Sequence, residues 1–326
     1  MDVTTLAHAH LLLNHLPTLG LVFGFALFLF SMVRNNDELM RASLAVFFFV
    51  AIMAYPTFMT GYAARLAIRE HAGFSELLVE GHQGAAVIAL IFLEITGAAA
   101  WVGLWQQRRR ARPAKWTLVT VVVLSLLTLG LVTRAANMGG EIAHSEIRAI
   151  QDLAQAEAAV PADVKLLTTP AISVFVSDYR YVWPACEVLH FIGLALLMGV
   201  VLVINLRILG VGTLKHMAFV DLHKLLPWAV AGFTFNAVSG MIFFISAPQT
   251  YTTNLSFDLK IMVFVLAGLT VLYHTAFDEP WVLARDADAP FPAKLMAAAH
   301  IFLWFGVLYF GRMIPYLTGG TQAGAL

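Results

Sequence analysis

The sequence predicts an all-α, polytopic membrane protein with eight transmembrane helices arranged as two four-helix bundles. Three observations predict it. Hydrophobic residues make up 60% of the 326 positions and charged residues only 12%, with a mean hydropathy of +0.79. Soluble domains average about a quarter charged and under half apolar. A hydrocarbon core about 30 Å thick is crossed by roughly 20 apolar residues of helix, and eight stretches meet that length. The apolar runs, such as 119–127, are continuous and lack the alternation of strands that would close a barrel.

In chain order the expected spans are 11–33, 43–63, 85–105, 116–136, 183–206, 225–246, 257–276 and 295–317. They divide four plus four, giving an N-terminal module over 1–144, an extramembrane connection over 145–182 and a C-terminal module over 183–326. Between the fourth and fifth spans, 141–159 is rich in Ala, Glu, Gln and Ile and reads as a surface helix, and Pro161 and Pro170 break the chain after it. No basic residue precedes the first apolar run, so a cleaved signal peptide is not expected. With the N-terminus outside, twelve of the twenty Lys and Arg fall in inner loops, five of them between Arg108 and Lys115. The positive-inside bias therefore puts both termini outside, periplasmic in a bacterial inner membrane.

Charge excludes some functions. The twenty basic residues balance twenty acidic ones, so no basic surface advertises nucleic acid. The single cysteine, Cys186, rules out an intramolecular disulfide, a thiolate-held iron–sulfur cluster and a CxxCH haem attachment.

Eleven histidines remain to be explained, and ionisable groups within a membrane are functional candidates by default. His10, His15, His82 and His144 come from three helices yet share the outer side. In the second module His190 is near the outer side, whereas His223, His274 and His300 are near the inner one. Histidines converging from separate helices suit either haem iron with two axial imidazoles or a transition-metal site. Haem b is favoured: it needs no cysteine, and clusters at opposite faces would carry electrons across the bilayer in short steps. Two or three haems are expected, with His15 and His82 on diagonal helices as the outer pair. His274 and His300 form the inner pair, with His223 as a competitor, and His144 and His190 are placed to serve a further outer haem. His8, His71 and His216 read as interfacial residues.

Other polar residues fall near these. Arg134, Asn137, Glu141 and His144 would form one stripe if helix continued through Gly139 and Gly140, able to receive haem propionates or a quinone head group. Glu187 precedes His190 by three residues and is expected to orient its imidazole. Glu94, mid-span, is either a hydrogen-bonded structural acid or a proton-handling group. Arg312 and Asn236 are weaker candidates of the same kind.

The segment from His8 to Gly20, with the pattern HxHxxxNHxPxxG, resembles the opening of uncharacterised bacterial multi-span proteins with a four-helix module. The resemblance continues at Gly81-His82-Gln83-Gly84 and from Ala135 to His144. The second half, with Glu187-Val-Leu-His190-Phe-Ile-Gly193 and Leu222-His223 through Trp228, resembles a module related to four-helix membrane cytochromes b. These resemblances imply a haem-binding electron-transfer protein. The expected role is a b-type cytochrome subunit of the membrane, working between a quinone and a peripheral or periplasmic redox protein, within a larger complex or homo-oligomer. The alternative is a copper permease with a histidine relay, which the scattered single methionines Met198, Met241 and Met262 favour less.

Overall fold

The computed structural model describes residues 2–70, 74–109, 112–143, 148, 150–276 and 283–317. All regular structure among the described residues is helical, and eight helical segments are long and apolar enough to cross a membrane. Large apolar side chains such as Leu12, Phe23, Val33, Phe191 and Phe302 are exposed on them. A bilayer, not water, is the solvent in which such a surface is stable. The chain forms two compact units, 1–174 and 175–326.

The first unit opens with α1 (Val3–Leu13) and α2 (His15–Arg34), which together make the first span. They part at Asn14 because Pro17 has no N–H to offer the Leu13 carbonyl four residues back. The Thr57 hydroxyl, from the next span, reaches that carbonyl at 3.4 Å. Then come α3 (Asp37–Ile68), α4 (Glu76–Arg109) and α5 (Lys115–Ala143). α2 packs on α3 and α5, and α4 packs on the same two, so the bundle is a ring with the first and third spans on one diagonal. α1 lies along α3. Helix continues through Gly139 and Gly140, as the polar-stripe expectation required.

At the end of this bundle where α1 starts, three short helices lie over α4: α6 (Leu153–Ala158), α7 (Ala162–Lys165) and the start of α8 (Thr169–Asp178). Gly84 lets α7 come close, since a Cβ there would sit 2.0 Å from the Val164 carbonyl oxygen. Ser75 donates to Glu157 at 2.6 Å, and Arg134 forks onto Asp163 at 2.7 and 2.9 Å. Residues 150–174 thus belong to the first unit's compact body.

The second unit holds α9 (Val182–Leu209), α10 (Leu226–Ser246), the short α11 (Pro248–Thr252), α12 (Leu255–Ala276) and α13 (Phe291–Met313). Glycines bring α9 and α10 into backbone contact: a Cβ on Gly193 would meet the Gly232 oxygen at 2.7 Å, and one on Gly232 would meet the Gly193 oxygen at 2.6 Å. At the end where α9 finishes, Arg207 is fully buried. Its guanidinium donates to the carbonyls of Met217 at 2.6 Å, Ala284 at 2.8 Å and Ala287 at 3.3 Å, fastening two loops to the bundle.

Candidate functional site

Three histidines are aimed by one local device. The His10 ring on α1 uses Nδ1 to donate to the Thr57 carbonyl on α3 at 2.9 Å, with the Thr60 hydroxyl 3.3 Å away. On α4, His82 donates in the same way to the Ala135 carbonyl on α5, also at 2.9 Å. In both cases a glycine stands four residues beyond the accepting carbonyl, Gly61 after Thr57 and Gly139 after Ala135. A helical Cβ leans toward the N-terminus, so a side chain at i+4 covers the carbonyl of residue i. Removing that side chain opens the carbonyl to an imidazole from the next helix. The fit is close, since a Cβ would meet the His10 Cε1 at 3.2 Å and the His82 Cε1 at 2.9 Å.

The third case sits in the second unit. His190 on α9 donates from Nδ1 to the Ser239 hydroxyl on α10 at 2.9 Å, and that hydroxyl donates onward to the Phe235 carbonyl at 2.5 Å. Residue i+4 here is a serine that relays the bond. Gly240 lies against the same ring, where a Cβ would come 3.7 Å from Cε1. Phe243 lies 5.8 Å away, ring centre to ring centre.

Each of these bonds places the ring proton on Nδ1, because a carbonyl or an already donating hydroxyl only accepts. Nε2 is left with its lone pair and without a proton. That is the form of histidine that ligates a metal, with the opposite nitrogen oriented by a hydrogen bond.

His274 and His300, expected together, do meet, but by a direct contact. His274 Nε2 is 3.1 Å from His300 Nδ1, the rings stack with centres 5.0 Å apart, and both are buried. Trp304 donates its indole N–H to His300 Nε2 at 2.7 Å. An indole only donates, so the His300 proton is on Nδ1 and points at His274. The buried Asn205 side chain, tied to the Val201 carbonyl at 2.7 Å, stands 3.3 Å from the same nitrogen. Both nitrogens of His300 are therefore occupied.

The remaining expected residues divide. His15 is exposed on the first turn of α2. Arg134 is committed to Asp163, and Asn137 donates to Glu141 at 3.0 Å on the exposed side of α5. His71 and His144 lie outside the described residues, as does the side chain of His223. Glu187 does not orient His190: its carboxylate accepts from the Trp183 indole at 3.0 Å, and the His190 Nδ1 is taken by Ser239 on α10. Glu94 is inside the first bundle beside the Tyr55 hydroxyl, with its Oε1 buried and unbonded. Arg312 is exposed and reaches Tyr316, and Asn236 bonds the Gly232 carbonyl of its own helix. His8 is exposed, and His216 pairs with Asp286 at 2.5 Å on the surface.

Sequence reasoning missed Thr57, Gly61, Ser239, Trp304 and Asn205. Small residues at 57, 60 and 61 beside Pro56 were the available signal, but only the packing shows which helix faces them. Comparison with known proteins returns no matching family model, no matching curated protein and no matching solved structure.

Proposed function

We propose that this chain is a b-type cytochrome subunit that carries electrons across a membrane, between a quinone and a peripheral redox protein. The observation that carries the reading is the repeated presentation of His10, His82 and His190, each with Nδ1 donating and Nε2 held ready. One such ring is ordinary core chemistry. Three, on three helices and each against a small residue, are what non-covalent haem b requires of a helical bundle.

Haem, when bound, supplies reversible one-electron chemistry at its iron. The chain's part is to hold the iron through imidazole Nε2 atoms, to fix those rings through Thr57, Ala135 and Ser239, and to keep the site apolar. The His274–His300 pair lies at the opposite end of its bundle from His190, and its direct contact suits proton-linked steps between imidazoles. The sequence bias of basic loops supports an inner-membrane protein with both termini outside.

The test is an absorption spectrum of protein purified from haem-replete cells, oxidised and then reduced with dithionite. A Soret band and a sharp reduced α-band, with haem extractable by acid-acetone, are expected. A colourless preparation carrying copper would overturn the reading in favour of a metal permease.

A further inference from the structure

We infer that His10 and His82 are the two axial ligands of a single haem in the first unit, and that His15 is not a ligand. The inference rests on the cytochrome reading and goes further by assigning the pair.

Sequence position favours His15, which shares the NHxP turn with the helix break and sits nearest the start of a long apolar span. The fold decides otherwise. Pro17 interrupts the span at Asn14, and the freed Leu13 carbonyl lies 3.4 Å from the Thr57 hydroxyl, whose closer acceptor is the Met53 carbonyl at 2.8 Å. The same Thr57 takes the His10 ring through its own carbonyl at 2.9 Å. The backbone of α3 thus holds the histidine four residues before the break, while His15, one position past it, is exposed.

Two features then bring His10 and His82 to one site. They belong to the diagonal pair of spans in the ring of helices. Both are at the end of the bundle where α1 begins, each within about three turns of the start of its helix. The other two helices of the ring, α3 and α5, carry Gly61 and Gly139 beside the two imidazoles that would hold the haem.

The test uses the purified full chain and its His10→Ala, His82→Ala and His15→Ala variants, read by reduced-minus-oxidised spectra and redox titration. His10→Ala and His82→Ala should each remove one and the same redox component, and His15→Ala should retain it. His10→Met, which keeps a ligand atom, should retain the haem with a raised midpoint potential, as His/Met ligation does. Imidazole added to His10→Gly should restore the wild-type spectrum, which separates ligation from folding. Loss of the component in His15→Ala with retention in His10→Ala would overturn the pairing and leave the cytochrome reading standing. Removal of different components by His10→Ala and His82→Ala would do the same. Wild-type protein without haem would overturn the cytochrome reading itself.

Discussion

An imidazole is aimed by what its non-ligating nitrogen can reach. In this protein that reach depends on a missing methyl group. Gly139→Ala would put a Cβ 2.9 Å from the His82 ring, displacing it and stretching its bond to the Ala135 carbonyl. We expect haem retention in the first unit to fall about 10- to 100-fold, the usual effect of losing an orienting partner. Haem release to apomyoglobin measures it, and unchanged release would show that the glycine serves packing alone. Arg207 makes the opposite case, of a charge that binds loops and no ligand. Its three carbonyl acceptors lie in a buried place, so Arg207→Met should destabilise the second unit by about 1–3 kcal/mol for each acceptor left unpaired. Arg207→Lys should recover only part, because an ammonium lacks the guanidinium fork. Thermal unfolding in detergent reads both.

Between elements, contact is set by small residues and by ion pairs such as Arg134–Asp163. α9 and α10 touch through Gly193 and Gly232, and that closeness is what lets His190 reach Ser239. Gly193→Leu should drive the helices apart, costing about 1–3 kcal/mol as overpacking does, and should disturb any haem bound through His190 while leaving a first-unit haem intact. Separate redox components in a titration check this. The short α7 is held on α5 by Arg134 and Asp163. The hydrogen bonds from the Arg134 guanidinium, more than its charge alone, hold the Asp163 carboxyl below its ordinary 3.8. A depressed carboxylate contributes stability above the unfolded value and loses it as the pH falls through the folded one. The cap should therefore hold across the neutral range and loosen only below pH 3.8. Hydrogen exchange across 162–165 should show Asp163→Asn at about pH 6 behaving as the wild type does once acid has protonated its Asp163.

For the whole molecule, length and sidedness make the prediction. Spans of 28 to 32 residues in the first unit run about 42–48 Å at 1.5 Å per residue, well beyond a 30 Å hydrocarbon core. His10 and His82, close to the helix starts, are then near the membrane surface, where a soluble partner could exchange electrons. With both termini outside, a cysteine at the exposed Ala158 should be labelled by a membrane-impermeant thiol reagent on intact cells. One at the exposed Thr213 should not, after Cys186 is replaced. The reverse pattern would invert the topology.

The sequence by itself determined that this chain carries eight apolar helices long enough to cross a membrane. Burial in lipid leaves a backbone no cheaper way to satisfy its own polar groups, and twenty-residue apolar runs are visible without any contact. It also singled out the histidines, because polar rings are conspicuous in such runs, whereas the break at Asn14 inside the expected span 11–33 is seen only in the structure. Which histidine is held by a neighbouring helix was decided only by the tertiary structure. His10 and His15 look alike along the chain, and they part because α3 offers Thr57 to one and nothing to the other. His300 looked equivalent to His82, yet Trp304 and His274 occupy both its nitrogens. Ser239, not the nearby Glu187, orients His190, since the partner of a ring nitrogen is set by which helix packs beside it, and sequence distance carries no record of that.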